Sequence, residues 1–136
     1  MIHRIVKDPL FLQQRSELCT LEDVGLAQDL RETLVAYQKT CLGLAANMIG
    51  ASKRAIVISV MGLPVVMFNP EVITKKGRYE THEACLSLSG ERPTERYKLL
   101  TVRYMDESWQ PRTLSLEGLG AQVCQHELDH LEGILI

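Results

Sequence analysis

Gln125-His126-Glu127-Leu128-Asp129-His130 is the stretch on which the reading of this chain turns. Histidines four residues apart lie on one helix face about one turn from each other, so a single ion can meet both imidazoles. Glu127, beside the first of them, can reach a water on that ion and take its proton. Outward from this stretch the segment 118–131 keeps helical spacing, with Leu119, Val123, Leu128 and Leu131 available for burial. Gly133 follows as a suitable C-cap.

Upstream of that helix the pattern changes to strands. Ala55–Val60 and 65–68 are apolar, largely β-branched runs with Met61-Gly62-Leu63-Pro64 between them, which predicts two strands joined by a tight turn. Asn69-Pro70 is expected to end the second run, with 71–77 continuing as an edge strand. Residues 99–105 alternate, an Asp106-Glu107-Ser108 turn follows, and 113–116 can form a short strand. Nearer the N-terminus, Thr20 with Glu22 and Asp23 resembles a helix start, and apolar spacing predicts a helix over about 22–39. A helix, several strands and a second helix indicate an α+β fold. The expected architecture is one domain over 1–136, with a mainly antiparallel sheet around the C-terminal helix and an additional N-terminal helix.

Composition narrows the function classes. The 136 residues are 46% hydrophobic and 24% charged, as in ordinary globular proteins. A net charge of −2, with Lys75-Lys76 too short to make a patch, gives no basic field for nucleic acid. No stretch approaches the roughly 20 apolar residues that span a bilayer, and no signal peptide is visible. Cys19, Cys41, Cys85 and Cys124 form no C-x-x-C pair and read as reduced thiols, so a cytoplasmic location is expected.

A catalytic site of this kind uses three protein ligands and leaves a position open. In the extended motif H-E-x-x-H-x-x-G-x-x-H the last position falls on Ile136, so the third ligand is expected upstream. His3, His82, Glu83, Cys85, Cys41 and Cys124 are candidates. Cys124 lies two residues before His126 and points to another helix face. Cys85, in a loop expected at 81–87, and then His82 remain the leading alternatives by spacing.

Three ordered motifs make the chain resemble the peptide deformylase family. Gly43-Leu44-Ala45-Ala46-Asn47-Met48 is similar to G-x-G-x-A-A-x-Q without its leading Gly, since Cys41 stands there. Glu83-Ala84-Cys85-Leu86-Ser87 is similar to E-G-C-x-x, and 125–130 matches Q-H-E-x-D-H at every specified position. The resemblance implies a metal-dependent hydrolase that removes the N-formyl group from the formyl-methionine of nascent polypeptides and releases formate. It implies ligands Cys85, His126 and His130, and Glu127 as general acid/base. The Leu86 N–H corresponds to a donor to the developing oxyanion. Leu42 and Gly43 fall on the main chain that pairs with substrate, and Arg96 lies near the outgoing peptide. Fe²⁺ is the implied native ion, with Zn²⁺, Ni²⁺ or Co²⁺ able to occupy the site. The implied partners are formylated N-termini and, transiently, the ribosome.

Two departures from the family pattern bear on chemistry. Met48 stands where the family has a Gln whose amide donates to the oxyanion, and a thioether cannot donate. This raises an alternative, a deformylase-like metal-binding protein with weak or no deformylation. Ala84 replaces a Gly and costs about 1 kcal/mol only if φ there is positive. Gln122 is expected to bring polarity near the substrate's first side chain.

Overall fold

The computed structural model describes residues 1–85 and 87–136. Among these, five strands form one antiparallel sheet in the order β1-β2-β3-β4-β5: Gly43–Ala45, Ala55–Val60, Leu63–Cys85, Leu88–Met105 and Pro111–Glu117. The helices are α1 (Pro9–Leu12), α2 (Leu26–Ala36) and α3 (Gly118–Leu131). The α+β reading and the C-terminal helix hold. No helix of the described residues is long and apolar enough to cross a membrane.

β2 explains why its sequence does not alternate. Ile56, Val57 and Ile58 are all fully buried, so both faces of the strand are covered, and α2 and α3 both pack on it. The turn into β3 is tighter than the four residues expected. Met61 (φ 52°) and Gly62 (φ 82°) make it alone, the positive φ pair that suits a two-residue hairpin.

Asn69-Pro70 does not end β3. Asn69 adopts φ 51°, and its side chain accepts from the Cys19 N–H at 2.7 Å and donates to the Cys19 carbonyl at 3.0 Å. The strand bulges there, between Phe68 paired with Met105 and Glu71 paired with Arg103, and continues. Beyond Phe68 it pairs only with β4, which makes 71–77 the edge that was expected. The loop expected at 81–87 is largely strand, because residues 81–84 pair with 91–94 and Cys85 with Leu88. Two N-terminal pieces replace the single helix expected over 22–39. Thr20 and Asp23 close a 3-10 turn at Leu21–Asp23, and α2 begins only after Gly25.

α3 ends where Gly133 takes φ 76°. The Ile134 N–H bonds to the Asp129 carbonyl at 3.0 Å and the Gly133 N–H to the His130 carbonyl at 3.1 Å. A Cβ at Gly133 would lie 2.2 Å from the Gln13 carbonyl oxygen, so the position needs Gly for both turn and close approach. Ile136, three residues beyond that turn, is buried.

Candidate metal centre

Helical periodicity builds one wall of a cavity of about 290 Å³. Leu119, Gln122, Val123, His126 and Glu127 recur at i, i+3, i+4, i+7 and i+8 on α3 and all line it. One turn further along, His130 is fully buried. The end of β3 brings Cys85 to the same place. One ligand atom each from Cys85, His126 and His130 lie within 4.8 Å of one another, and Cys85 Sγ is 3.3 Å from His130 Nε2. Tetrahedral bonds of about 2.3 Å to sulfur and about 2.0–2.1 Å to nitrogen place such atoms about 3.6 Å apart. The donor set fits a first-row divalent ion.

Electrostatics agree with that fit. Burial, with the His126 and Arg96 charges adding to it, lowers His130 to about 3, so its imidazole is the neutral form that ligates. Burial also disfavours charged His126, but the hydrogen bonds of Cys85 and Glu83 outweigh it and hold the proton to about 10. A cation at the cluster takes the place of that proton. Burial pushes the Cys41 and Cys124 thiols up to about 12, and neither is among the ligand atoms that converge with His126 and His130.

Behind the cluster lies a polar network that the sequence reading did not find. Glu83 Oε1 is 2.7 Å from His126 Nδ1, which leaves Nε2 for the ion. Arg96 donates to Glu83 through Nε at 2.9 Å and Nη2 at 2.7 Å, and to Asp129 through Nη1 at 2.8 Å. The structure therefore corrects the place expected for Arg96. It does not line the cavity beside an outgoing peptide but is 3% exposed, committed to two carboxylates. A buried guanidinium needs such partners. The Q-H-E-x-D-H motif marked Asp129 and E-x-C marked Glu83, yet only the fold shows that both are braced by Arg96.

Burial raises the Glu83 carboxyl, but bonds from His126, Arg96 and Gln122 overturn that and bring it to about 2. Its folded value lies below its ordinary 4.5, so the stabilisation is complete above pH 4.5 and disappears as pH falls through 2. The shift corresponds to stability on the order of 3 kcal/mol. Chemical denaturation between pH 6 and 3 is expected to show wild type losing more stability than Glu83→Gln.

Glu127 is 4% exposed, and burial raises its carboxyl to about 7. Its Oε1 has no hydrogen-bond partner among the described residues. A group of that pKa can both take and return a proton near neutrality. Across the cavity, Gly43 approaches α3 closely. A Cβ there would sit 2.7 Å from Val123 Cγ1 and 3.1 Å from Glu127 Oε2.

β1 is an edge strand of the sheet. The Ser59 N–H bonds to the Leu42 carbonyl at 2.8 Å, so strand alternation turns the N–H and C=O of Gly43 to the open side. Leu42 and Gly43 both line the cavity, and the Cys41 thiol rests on the Gly43 carbonyl at 2.7 Å.

Met48 also lines the cavity and is 1% exposed, its sulfur accepting from the Ala45 N–H at 3.5 Å. Residues 46–49 form a 3-10 turn. Asn47 is turned away, its amide donating to the His130 carbonyl at 2.9 Å. Ala84 does not have positive φ, so the replaced Gly brings no strain. Leu86 lies outside the described residues.

The family model described as polypeptide deformylase matches residues 2–136. The peptide deformylase of Clostridium beijerinckii is 48% identical over 136 residues, covering all of both chains. That of Dictyoglomus thermophilum is 36% identical over 138 residues, 98% of this chain and 88% of its own. Among solved structures, a Legionella pneumophila peptide deformylase superposes with TM-score 0.88 at 33% identity, over 99% of this chain and 83% of that one. The Thermotoga maritima enzyme gives 0.87 at 34%, over 99% and 95%. Likeness of this extent supports deformylation and not the alternative raised by Met48, a metal-binding relative with weak or no deformylase activity. The chain belongs to the polypeptide deformylase family, metal-dependent hydrolases that act on N-formyl methionine.

Proposed function

We propose that Cys85, His126 and His130 hold the catalytic ion and that Glu127 carries the proton in removal of the formyl group from nascent polypeptides. The observation that carries this reading is Glu127 itself, a buried carboxylate with one oxygen unpartnered among the described residues, in the wall of the cavity that the Cys/His/His cluster reaches. A divalent ion held there supplies Lewis acidity, acidifying a water and polarising a carbonyl. Fe²⁺ is the native ion on this reading, and Zn²⁺, Ni²⁺ or Co²⁺ can replace it.

Each residue then has a defined task. Glu83 fixes the tautomer and orientation of His126. The Gly43 main chain, open on the edge of β1, pairs with the substrate peptide as an added strand, with Leu42 at its side. Glu127 takes one proton of the attacking water and gives it to the leaving amine as the C–N bond breaks, and the second proton stays on the product acid, which ionises to formate on release. The Leu86 N–H donates to the oxyanion, a role that rests on family resemblance. Residues 1–136 work as one cytoplasmic domain that meets formylated N-termini as they leave the ribosome, without a basic patch for nucleic acid.

Formate release from formyl-methionine peptides, followed with Fe²⁺, Zn²⁺, Ni²⁺ or Co²⁺ loaded in turn, tests the assignment against Glu127→Gln. Metal-dependent release absent from the variant supports it, and equal release from both proteins refutes it. Met48 supplies no donor, so Met48→Gln is expected to raise kcat about tenfold at unchanged metal content. An added oxyanion donor can contribute about 10²-fold where its geometry is ideal.

A further inference from the structure

The cavity runs from His126 and Glu127 along one face of α3 to Val123 and Gln122, then to Leu119, which is 60% exposed at the mouth. On the deformylase reading, on which this inference rests, the substrate's first side chain lies along those three residues, next to the reacting carbonyl. Val123 and Leu119 are apolar, while Gln122 is not. Its Nε2 donates to Glu83 Oε2 at 2.9 Å. An ionised carboxylate only accepts, so the amide has one orientation, with its carbonyl oxygen directed away from Glu83. Among the described residues the bond to Glu83 is the one hydrogen bond of the Gln122 side chain, so its oxygen has no protein donor there. Glu83 is itself clamped by Arg96 and His126, so the Gln122 amide, in the lining of the cavity, is anchored through its Nε2 to a fixed carboxylate.

We propose that Gln122 is a specificity-determining residue whose carbonyl oxygen receives a hydrogen bond from the first side chain of the substrate. The chain then deformylates N-formyl peptides that begin with a donor-bearing side chain, such as glutamine, alongside those that begin with methionine. An apolar wall penalises such a side chain, because its N–H groups lose water without gaining a partner. A fixed carbonyl oxygen removes part of that penalty. Methionine and norleucine draw no comparable benefit, since neither carries a donor.

The test compares kcat/KM for three peptides differing only in the formylated residue: methionine, norleucine and glutamine. Wild type and Gln122→Leu are measured with metal content determined on both. Loss of the bond to Glu83 in the variant affects His126 and therefore all three peptides alike. The ratio of the glutamine peptide to the norleucine peptide cancels that general effect. The ratio is expected to fall about three- to tenfold in Gln122→Leu, the worth of one neutral hydrogen bond. A ratio unchanged within twofold, with formate still released, overturns this inference and leaves the deformylase reading standing. No release from any of the three peptides by metal-loaded wild type overturns both.

Discussion

Glu127→Gln lowers kcat/KM for a formyl-methionine peptide by about 10²–10⁴-fold while the protein binds its metal as before. The amide has the size and shape of the carboxylate, so the close approach of Gly43 and Val123 is preserved. What it lacks is a site for the proton that must leave the water and later reach the amine nitrogen. Glu127 is not among the ligand atoms that converge on the ion, so metal content measured by elemental analysis stays near wild type. The pH profile gives a second readout. Burial holds the carboxyl near 7, and a bound cation draws it lower. Wild-type activity therefore falls on the acid side of that value, and the residual activity of the variant lacks the limb. Loss of metal together with loss of activity would reassign Glu127 as a structural prop.

Arg96→Met is the second large effect, on stability and metal affinity together. Methionine fills the volume of the aliphatic stem but leaves Glu83 and Asp129 with no cation between them. Removing one partner of a buried ion pair typically costs about 3–5 kcal/mol, because the remaining charge stays desolvated. Glu83 then binds a proton more readily and holds His126 less firmly. Disturbing such an orienting carboxylate weakens metal binding about 10–100-fold. Chemical denaturation and metal titration measure the two losses separately. Adding Glu83→Gln to the variant removes one stranded charge and is expected to recover part of the stability. A merely exposed arginine would give a loss within about 0.5 kcal/mol.

Much of the site was legible because its parts are local. The i, i+4 histidines, the intervening glutamate and the Gly133 cap all follow from helix geometry over a dozen residues, and the structure has them where the sequence put them. Strand β2 was legible for the same reason, as a largely β-branched apolar run interrupted only by Ser59. The errors lie where partners are distant in sequence. Asn69-Pro70 reads as a stop, but the Cys19 backbone, fifty residues away, gives the Asn69 side chain two bonds and turns the stop into a bulge. Residues 81–84 read as loop because Thr81, His82 and Glu83 give no apolar alternation, and pairing with 91–94 makes them strand. Arg96 was expected near the outgoing peptide because an arginine's partners, here Glu83 and Asp129 from a strand and a helix, leave no local trace. No spacing rule predicts a buried pair that only folding brings together.

α3 joins duties that many enzymes divide among separate loops. Its fourteen residues carry His126, His130, Glu127 and most of one cavity wall, and its end is pinned by Gly133 against Gln13. Such an arrangement leaves little room for partial wear. On the proposed assignment, loosening of the helix loses the ion, Glu127 and the substrate wall in one step, so an ageing population is expected to divide into working and dead molecules. Samples at different stages of inactivation should share one Michaelis constant and differ only in how many active centres can be counted.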